Sequence, residues 1–197
     1  ALQKECGLPE KKNVPIVAII TRLAGHKGLD LVERIMEDVV ANNDVQLVIL
    51  GKGEERYENY FKYLDAKYPE KVKALITYDR DLSKRIYAGA DIFVMPSKSE
   101  PCGLAQMIAS RYGTVPVTRE TGGLYDSIKG YYEADGEIYG NGFTFANYSE
   151  AELKDRILAA LGLYADADKW KQEHRDALNK YIDCLYSHGY IDFSLMI

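Results

Sequence analysis

Pro96-Ser97-Lys98-Ser99-Glu100-Pro101-Cys102-Gly103-Leu104-Ala105-Gln106 is the stretch whose reading decides the fold. It follows Asp91-Ile92-Phe93-Val94-Met95, an apolar run that reads as a buried parallel strand. A helix is expected next, from about Leu104 to Tyr112. A strand therefore ends, a loop carries one carboxylate, and a helix begins at a glycine. In open α/β sheets, ligands bind outside the carboxyl ends of the strands. Free backbone N–H groups at such a helix start suit an anion, and Glu100 beside them could grip a neutral polyol such as a sugar.

Working outward, strands and helices alternate about six times. Val14–Thr21, Val45–Leu50, Val72–Thr77, Asp91–Met95, Val115–Thr118 and Gly142–Phe145 read as strands, several of them nearly all apolar and β-branched. Leu29, Val32, Ile35, Met36 and Val39 keep helical spacing after the first strand, and helices are expected over about Glu55–Tyr68 and Leu82–Ala90. Ala1–Gly7 reads as the last turns of a helix closed by Gly7. Ser149-x-x-Glu152 is a capping box that opens a helix to about Gly162, and Asp168–Tyr186 reads as a final helix before the tail. Tyr131–Gly142, polar and punctuated by glycine, reads as an exposed loop. The pattern predicts an α/β fold, a Rossmann-like doubly wound parallel sheet in one domain over residues 1–197, with 165–197 as a C-terminal helix and tail.

Composition narrows the partners. The net charge of −5 argues against a general nucleic-acid binder, which needs a basic face. No apolar run reaches membrane-spanning length and no signal peptide is visible. The 3 cysteines, Cys6, Cys102 and Cys184, form no C-x-x-C, so a reducing, cytoplasmic setting is expected. The first residue is Ala1 rather than methionine, which reads as part of a longer protein.

Several residue groups admit more than one reading. Arg22 and Lys27 flank the first strand-to-helix turn; they are either solvated cations or a pair that neutralises a diphosphate. Gly51-Lys52-Gly53 lacks the third glycine of a dinucleotide fingerprint, and a tight turn explains it equally well. Tyr78 ends the third strand, where its ring serves packing or stacks on a nucleobase. The 16 tyrosines fit half-buried helix faces or a carbohydrate platform. Asp79-Arg80-Asp81 could hold a divalent ion against a diphosphate, whereas Asp166-Ala167-Asp168 reads as a helix cap. His26, His174 and His188 lack ligand spacing. Cys102 at a helix start could be a nucleophile with His26 as base, but no third group is in view to orient them.

The motifs taken together resemble a known family. Thr21-Arg22-Leu23 through Lys27-Gly28-Leu29-Asp30-Leu31 is similar to the R-L-x-x-Q-K-G-x-D-L segment of bacterial glycogen and plant starch synthases. Pro96-Ser97 with Glu100–Gln106 resembles their P-S-x-x-E-P-C-G-L-x-Q signature, and Ala88–Asp91, Arg111–Pro116 and Thr121-Gly122-Gly123-Leu124-Tyr125-Asp126 follow in order and spacing. The likeness covers roughly residues 1–165. His26 stands where the family has glutamine. Ile108 stands where the wider superfamily often has a second glutamate, a lack the glycogen and starch synthases share. The aspartate-aromatic-Ser-Trp element that precedes the family's last Y-x-x-L-Y is not matched ahead of Tyr181–Tyr186.

The resemblance implies the C-terminal half of a two-domain GT-B glycosyltransferase. Such enzymes move glucose from ADP-glucose to an α-1,4-glucan with retention, without a metal or other cofactor. Arg22 and Lys27 would bind the diphosphate, and Glu100 would hold the donor's glucose hydroxyls. Amides near Cys102, Gly103 and Leu104 would face glucose and phosphate, Thr121 and Gly122 would line the same pocket, and Tyr78 would stack on adenine. The glucan would be held mainly by an N-terminal domain outside this chain. A UDP-sugar-dependent GT-B enzyme and a nucleotide-binding module without catalysis are the alternatives.

Overall fold

The computed structural model describes residues 1–135 and 137–172. His174, Cys184, His188, Tyr181–Tyr186, the end of the helix expected over Asp168–Tyr186, and the tail lie outside the described residues. The elements, in chain order, are α1 (Leu2–Glu5), β1 (Ile16–Ile20), a 3₁₀ turn (Gly25–Lys27), α2 (Leu29–Asn42), β2 (Gln46–Leu50), α3 (Glu55–Lys67), β3 (Val72–Leu75) and α4 (Arg80–Gly89). There follow β4 (Ile92–Met95), α5 (Ala105–Arg111), β5 (Val115–Arg119), α6 (Gly123–Ser127), β6 (Tyr132–Ala134), β7 (Glu137–Tyr139), β8 (Phe143–Phe145) and α7 (Glu150–Tyr164).

Six strands pair in parallel in the order β3-β2-β1-β4-β5-β8. The doubly wound α/β expectation holds. The chain winds outward from β1 to β3, then returns to place β4 on the other side of β1. Strand order therefore reverses between β1 and β4, and a crevice opens there at the carboxyl edge.

Alternation along each strand builds two cores. Val17, Ile19, Leu47, Ile49, Ile92 and Val94 pack toward α2, α3 and α7. Ile16, Ala18, Val48, Leu50, Phe93 and Met95 face the opposite layer, against Leu2 of α1, Ile86 of α4, Ala109 of α5 and Leu124 of α6. A central strand covered on both faces has no reason to alternate polar and apolar residues, which is why these runs are continuously hydrophobic.

Local signals mostly match. Gly7, at φ +71°, ends α1, and the Leu8 N–H returns to the Gln3 carbonyl at 2.8 Å. Ser149 caps α7, but its capping-box partner differs: Glu152 accepts from the Asn147 N–H at 3.0 Å. Two expectations need correction. The third strand stops at Leu75 rather than Thr77, because its partner β2 ends at Leu50, opposite Leu75. Tyr131–Gly142 is not a plain loop: β6 and β7 form an antiparallel hairpin. Asp135, at φ 53°, supplies the left-handed turn, and Tyr132 and Tyr139 stack across the strands at 5.1 Å.

Asp91 marks the opposite, amino edge of the sheet. Its carboxylate accepts from the Ile16 N–H at 2.8 Å, tying β4 to β1. Burial outweighs that bond and pushes its pKa up to about 6. The folded chain thus favours the protonated acid. The stability it contributes is full below the unfolded value near ~3.9 and is lost as pH rises through about 6. Asp91→Asn keeps the acceptor and removes the titration. Between pH 4 and 7 its unfolding free energy should rise relative to wild type by roughly 1–3 kcal/mol, measured by denaturant titration at each pH.

Candidate functional site

The crevice between β1 and β4 holds an open cleft with about 480 Å³ of empty space, its mouth included. Ile19, Ile20 and Thr21 of the β1 end, and Val94, Met95 and Pro96 of the β4 end, form its floor and walls. Lys27, Ser97 and Glu100 bring polar groups to it, and Leu104 adds an apolar wall. Two of the three residues expected to do the chemistry meet directly: Lys27 Nζ donates to Glu100 Oε2 at 2.6 Å. Their side chains are only 19% and 13% exposed, so water screens the pair weakly. Ser97, fully buried, donates to the same Oε2 at 3.3 Å.

Arg22 follows Thr21 on the rim and is exposed. It donates to His26 Nε2 at 3.1 Å, so His26 accepts there, and its partner is Arg22 rather than Cys102. Cys102 itself is exposed. This arrangement removes the nucleophile–base reading, which required the two to face each other. Gly51-Lys52-Gly53 supports the same loop: Leu23 N–H donates to Lys52 O at 3.0 Å, and Glu54 N–H donates to Leu23 O at 2.6 Å. Those contacts give the G-x-G its role as a scaffold turn.

Gly28 closes the Lys27 loop at φ +76°, and a Cβ there would lie 1.9 Å from the Pro96 carbonyl oxygen. Only glycine lets the two loops approach so closely. The Lys98 N–H completes the contact by donating to the His26 carbonyl at 3.0 Å.

The Thr121-Gly122-Gly123 loop docks on the Glu100 loop from the β5 side. The Gly123 N–H donates to the Glu100 carbonyl at 3.1 Å, and a Cβ on Gly123 would sit 1.8 Å from the Cys102 carbonyl oxygen. Gly103 is buried at φ +67°, and Leu104 is 46% exposed at the cleft. Tyr78 stands apart, after the edge strand β3, with its ring 88% exposed on the same carboxyl edge.

Asp79 and Asp81 serve α4. Asp79 accepts from the Leu82 N–H at 2.8 Å, and Asp81 pairs with Lys84 at 3.7 Å. Asp166 accepts from the N–H groups of Asp168 and Lys169 at 3.2 Å, the cap read from sequence. Among the described residues, no group of three or more His, Cys, Asp or Glu could hold a metal ion. No helix among them is long and apolar enough to cross a membrane.

Sequence reading missed the braces. Arg119 donates to the carbonyls of Ser97 and Lys98 at 3.0 and 2.7 Å, holding the loop that carries Glu100. Its guanidinium lies 5.5 Å from the Tyr148 ring centre, and Lys98 Nζ lies 5.0 Å from it. The Tyr148 hydroxyl donates to Asp30, which also pairs with Lys98 at 3.4 Å. Burial opposes ionisation of Asp30, yet Tyr148 and Lys98 outweigh it and hold its carboxyl below the usual range. Desolvation, then Asp30, pushes the Tyr148 hydroxyl up. Arg119 adjoins the Thr121-Gly122 motif, a position that could have drawn notice; Tyr148 carried no signal.

The family model for Glycosyl transferases group 1 matches residues 4–177. The chain belongs to this family. Glycogen synthase of Bacillus subtilis is 49% identical over 178 residues, covering 90% of this chain and 36% of that protein. Glycogen synthase of Clostridium botulinum is 51% identical over 178 residues, covering 90% and 37%. The chain thus spans little more than a third of these relatives' length. The catalytic domain of starch synthase IV from Arabidopsis thaliana, solved with ADP and acarbose, superposes with a TM-score of 0.81 at 34% identity, covering 98% of this chain and 38% of that one. The C-terminal domain of a group 1 glycosyl transferase from Francisella tularensis, at 17% identity and a TM-score of 0.70, shares the fold, covering 97% of this chain and 92% of that one.

Gly28→Ala should cost at least about 2 kcal/mol, since it adds both left-handed strain and a backbone clash. Chemical denaturation checks this; an unchanged midpoint would mean the two loops do not meet as described.

Proposed function

We propose that this chain is the donor-binding, C-terminal half of a GT-B glucosyltransferase that moves glucose from ADP-glucose to the non-reducing end of an α-1,4-glucan, retaining the anomeric configuration. The observation that carries the reading is the Lys27–Glu100 pair at the mouth of the reversal-point cleft. One cation and one carboxylate there match the two halves of a sugar nucleotide. Support comes from the glycogen synthase relatives and from the starch synthase IV structure, which contains ADP and acarbose.

In this reading Lys27 and Arg22 contact the diphosphate. Both Glu100 contacts land on Oε2, and Oε1 receives hydroxyls of the donor glucose. Backbone amides near Cys102, Gly103 and Leu104 face the glucose and phosphate, Thr121 and Gly122 line the far wall, and Tyr78 stacks on adenine. Cleaving the glycosidic bond moves negative charge onto the departing diphosphate. Fixed cations at that point stabilise the transition state more than the bound donor. The same cations take the place of a metal, so no cofactor is needed. The glucan lies mainly against the partner N-terminal half, so transfer requires the full-length protein.

In the full-length enzyme, Lys27→Ala and Glu100→Ala should each lower kcat by roughly 10²-fold or more while the enzyme stays folded at the assay temperature, as circular dichroism would show. Near-normal turnover in either variant removes that residue from the site. Calorimetry should show ADP-glucose binding more tightly than UDP-glucose, and a chelator should leave transfer unchanged. A preference for UDP-glucose would overturn the donor assignment, and inhibition by the chelator would overturn metal-free catalysis.

A further inference from the structure

Next to the Glu100 loop, outside the residues that line the cleft, lies a polar chain that the proposed roles leave unused. Gln106 is fully buried. Its Nε2 donates to the Gly103 carbonyl at 2.7 Å and to Ser127 Oγ at 3.0 Å. Ser127 Oγ in turn donates to the Gly123 carbonyl at 2.6 Å, and the Ser127 carbonyl accepts from Asn141 Nδ2 at 3.0 Å. The Gly123 N–H closes the circuit onto the Glu100 carbonyl. Gln106 Oε1 has no hydrogen-bond partner among the described residues. A buried amide that leaves its own oxygen unpaired is costly, so this side chain is present for its two donated bonds.

We propose that Gln106 and Ser127 are positioning residues that set where Glu100 meets the donor's sugar. The clamp joins the loop after β4 to the loop after β5. It fixes the backbone on either side of Cys102, and through it the height of the Glu100 carboxylate. It touches neither Arg22, Lys27 nor Tyr78, which lie on the loops after β1 and β3. Loosening it therefore weakens recognition of the glucose moiety far more than that of the nucleotide, whose diphosphate and base are held chiefly from the loops after β1 and β3. This inference rests on the donor reading above.

The test uses the full-length enzyme and its Ser127→Ala, Ser127→Thr and Gln106→Met variants, with ADP and ADP-glucose as calorimetric ligands. Ser127→Ala and Gln106→Met should bind ADP within about twofold of wild type, yet lose roughly tenfold in ADP-glucose affinity and at least that in kcat. Ser127→Thr, which keeps the hydroxyl, should restore both. Equal losses for ADP and ADP-glucose would mark the clamp as merely structural and overturn the proposal. So would wild-type ADP-glucose binding and turnover in Ser127→Ala, the milder variant should Gln106→Met not fold. A wild-type enzyme that binds neither nucleotide would overturn the donor reading and the clamp's role with it.

Discussion

Lys27 and Glu100 are 73 residues apart, and their side chains meet at 2.6 Å. They meet because β1 and β4 are parallel neighbours, with Val17 beside Ile92 and Ala18 beside Phe93. Parallel pairing brings both strands' exits to one edge, and each exit leads into a loop that carries one member of the pair. The reversal of strand order at this pair opens the gap in which the charges sit. An antiparallel arrangement of the same strands would send the two loops to opposite ends of the sheet.

A pair of nearly buried opposite charges is held in place only if its backbone is held too. The braces come from every neighbouring loop. Gly28 lets the Lys27 loop lie against Pro96, and Arg119 grips the carbonyls just before Glu100. Gly123 holds the Glu100 carbonyl from the third side. Behind them, Asp30, Lys98 and Tyr148 join the start of α2 to the same loop, and the Tyr148 hydroxyl and Lys98 draw the Asp30 carboxyl below its usual range. The loops that carry the site's charges are thus gripped at their backbone carbonyls and amides, with Arg119, Asp30 and Lys98 as the charged members of the brace.

Much of this was legible because the relevant signals are local. Continuous apolar runs such as VPIVAIIT and VQLVIL mark doubly covered strands, and glycines after them mark turns at the carboxyl edge. Motifs carried Arg22, Lys27, Glu100 and the Thr121-Gly122 loop to one region, and the structure brings Lys27 to Glu100 and docks the glycines beside them. The β6–β7 hairpin was missed although Asp135-Gly136 is a hairpin dipeptide, because polar flanking residues hid the strands. Asp79 was read as a possible ion ligand because the sequence does not show that its carboxylate is spent on the α4 cap.

The sequence by itself determined the class of fold, the six strands of its parallel sheet in their succession along the chain, and the residues able to handle a charged and a hydroxylated group. Each of these follows from periodicity, turn chemistry or residue type within a few positions along the chain. Only the tertiary structure decided that Lys27 pairs with Glu100, that His26 serves Arg22 rather than Cys102, and that Ser97, Gln106, Arg119 and Tyr148 brace the loops. Most of those contacts join residues from different strand exits. They depend on which strands become neighbours, and spacing along the chain carries no record of that.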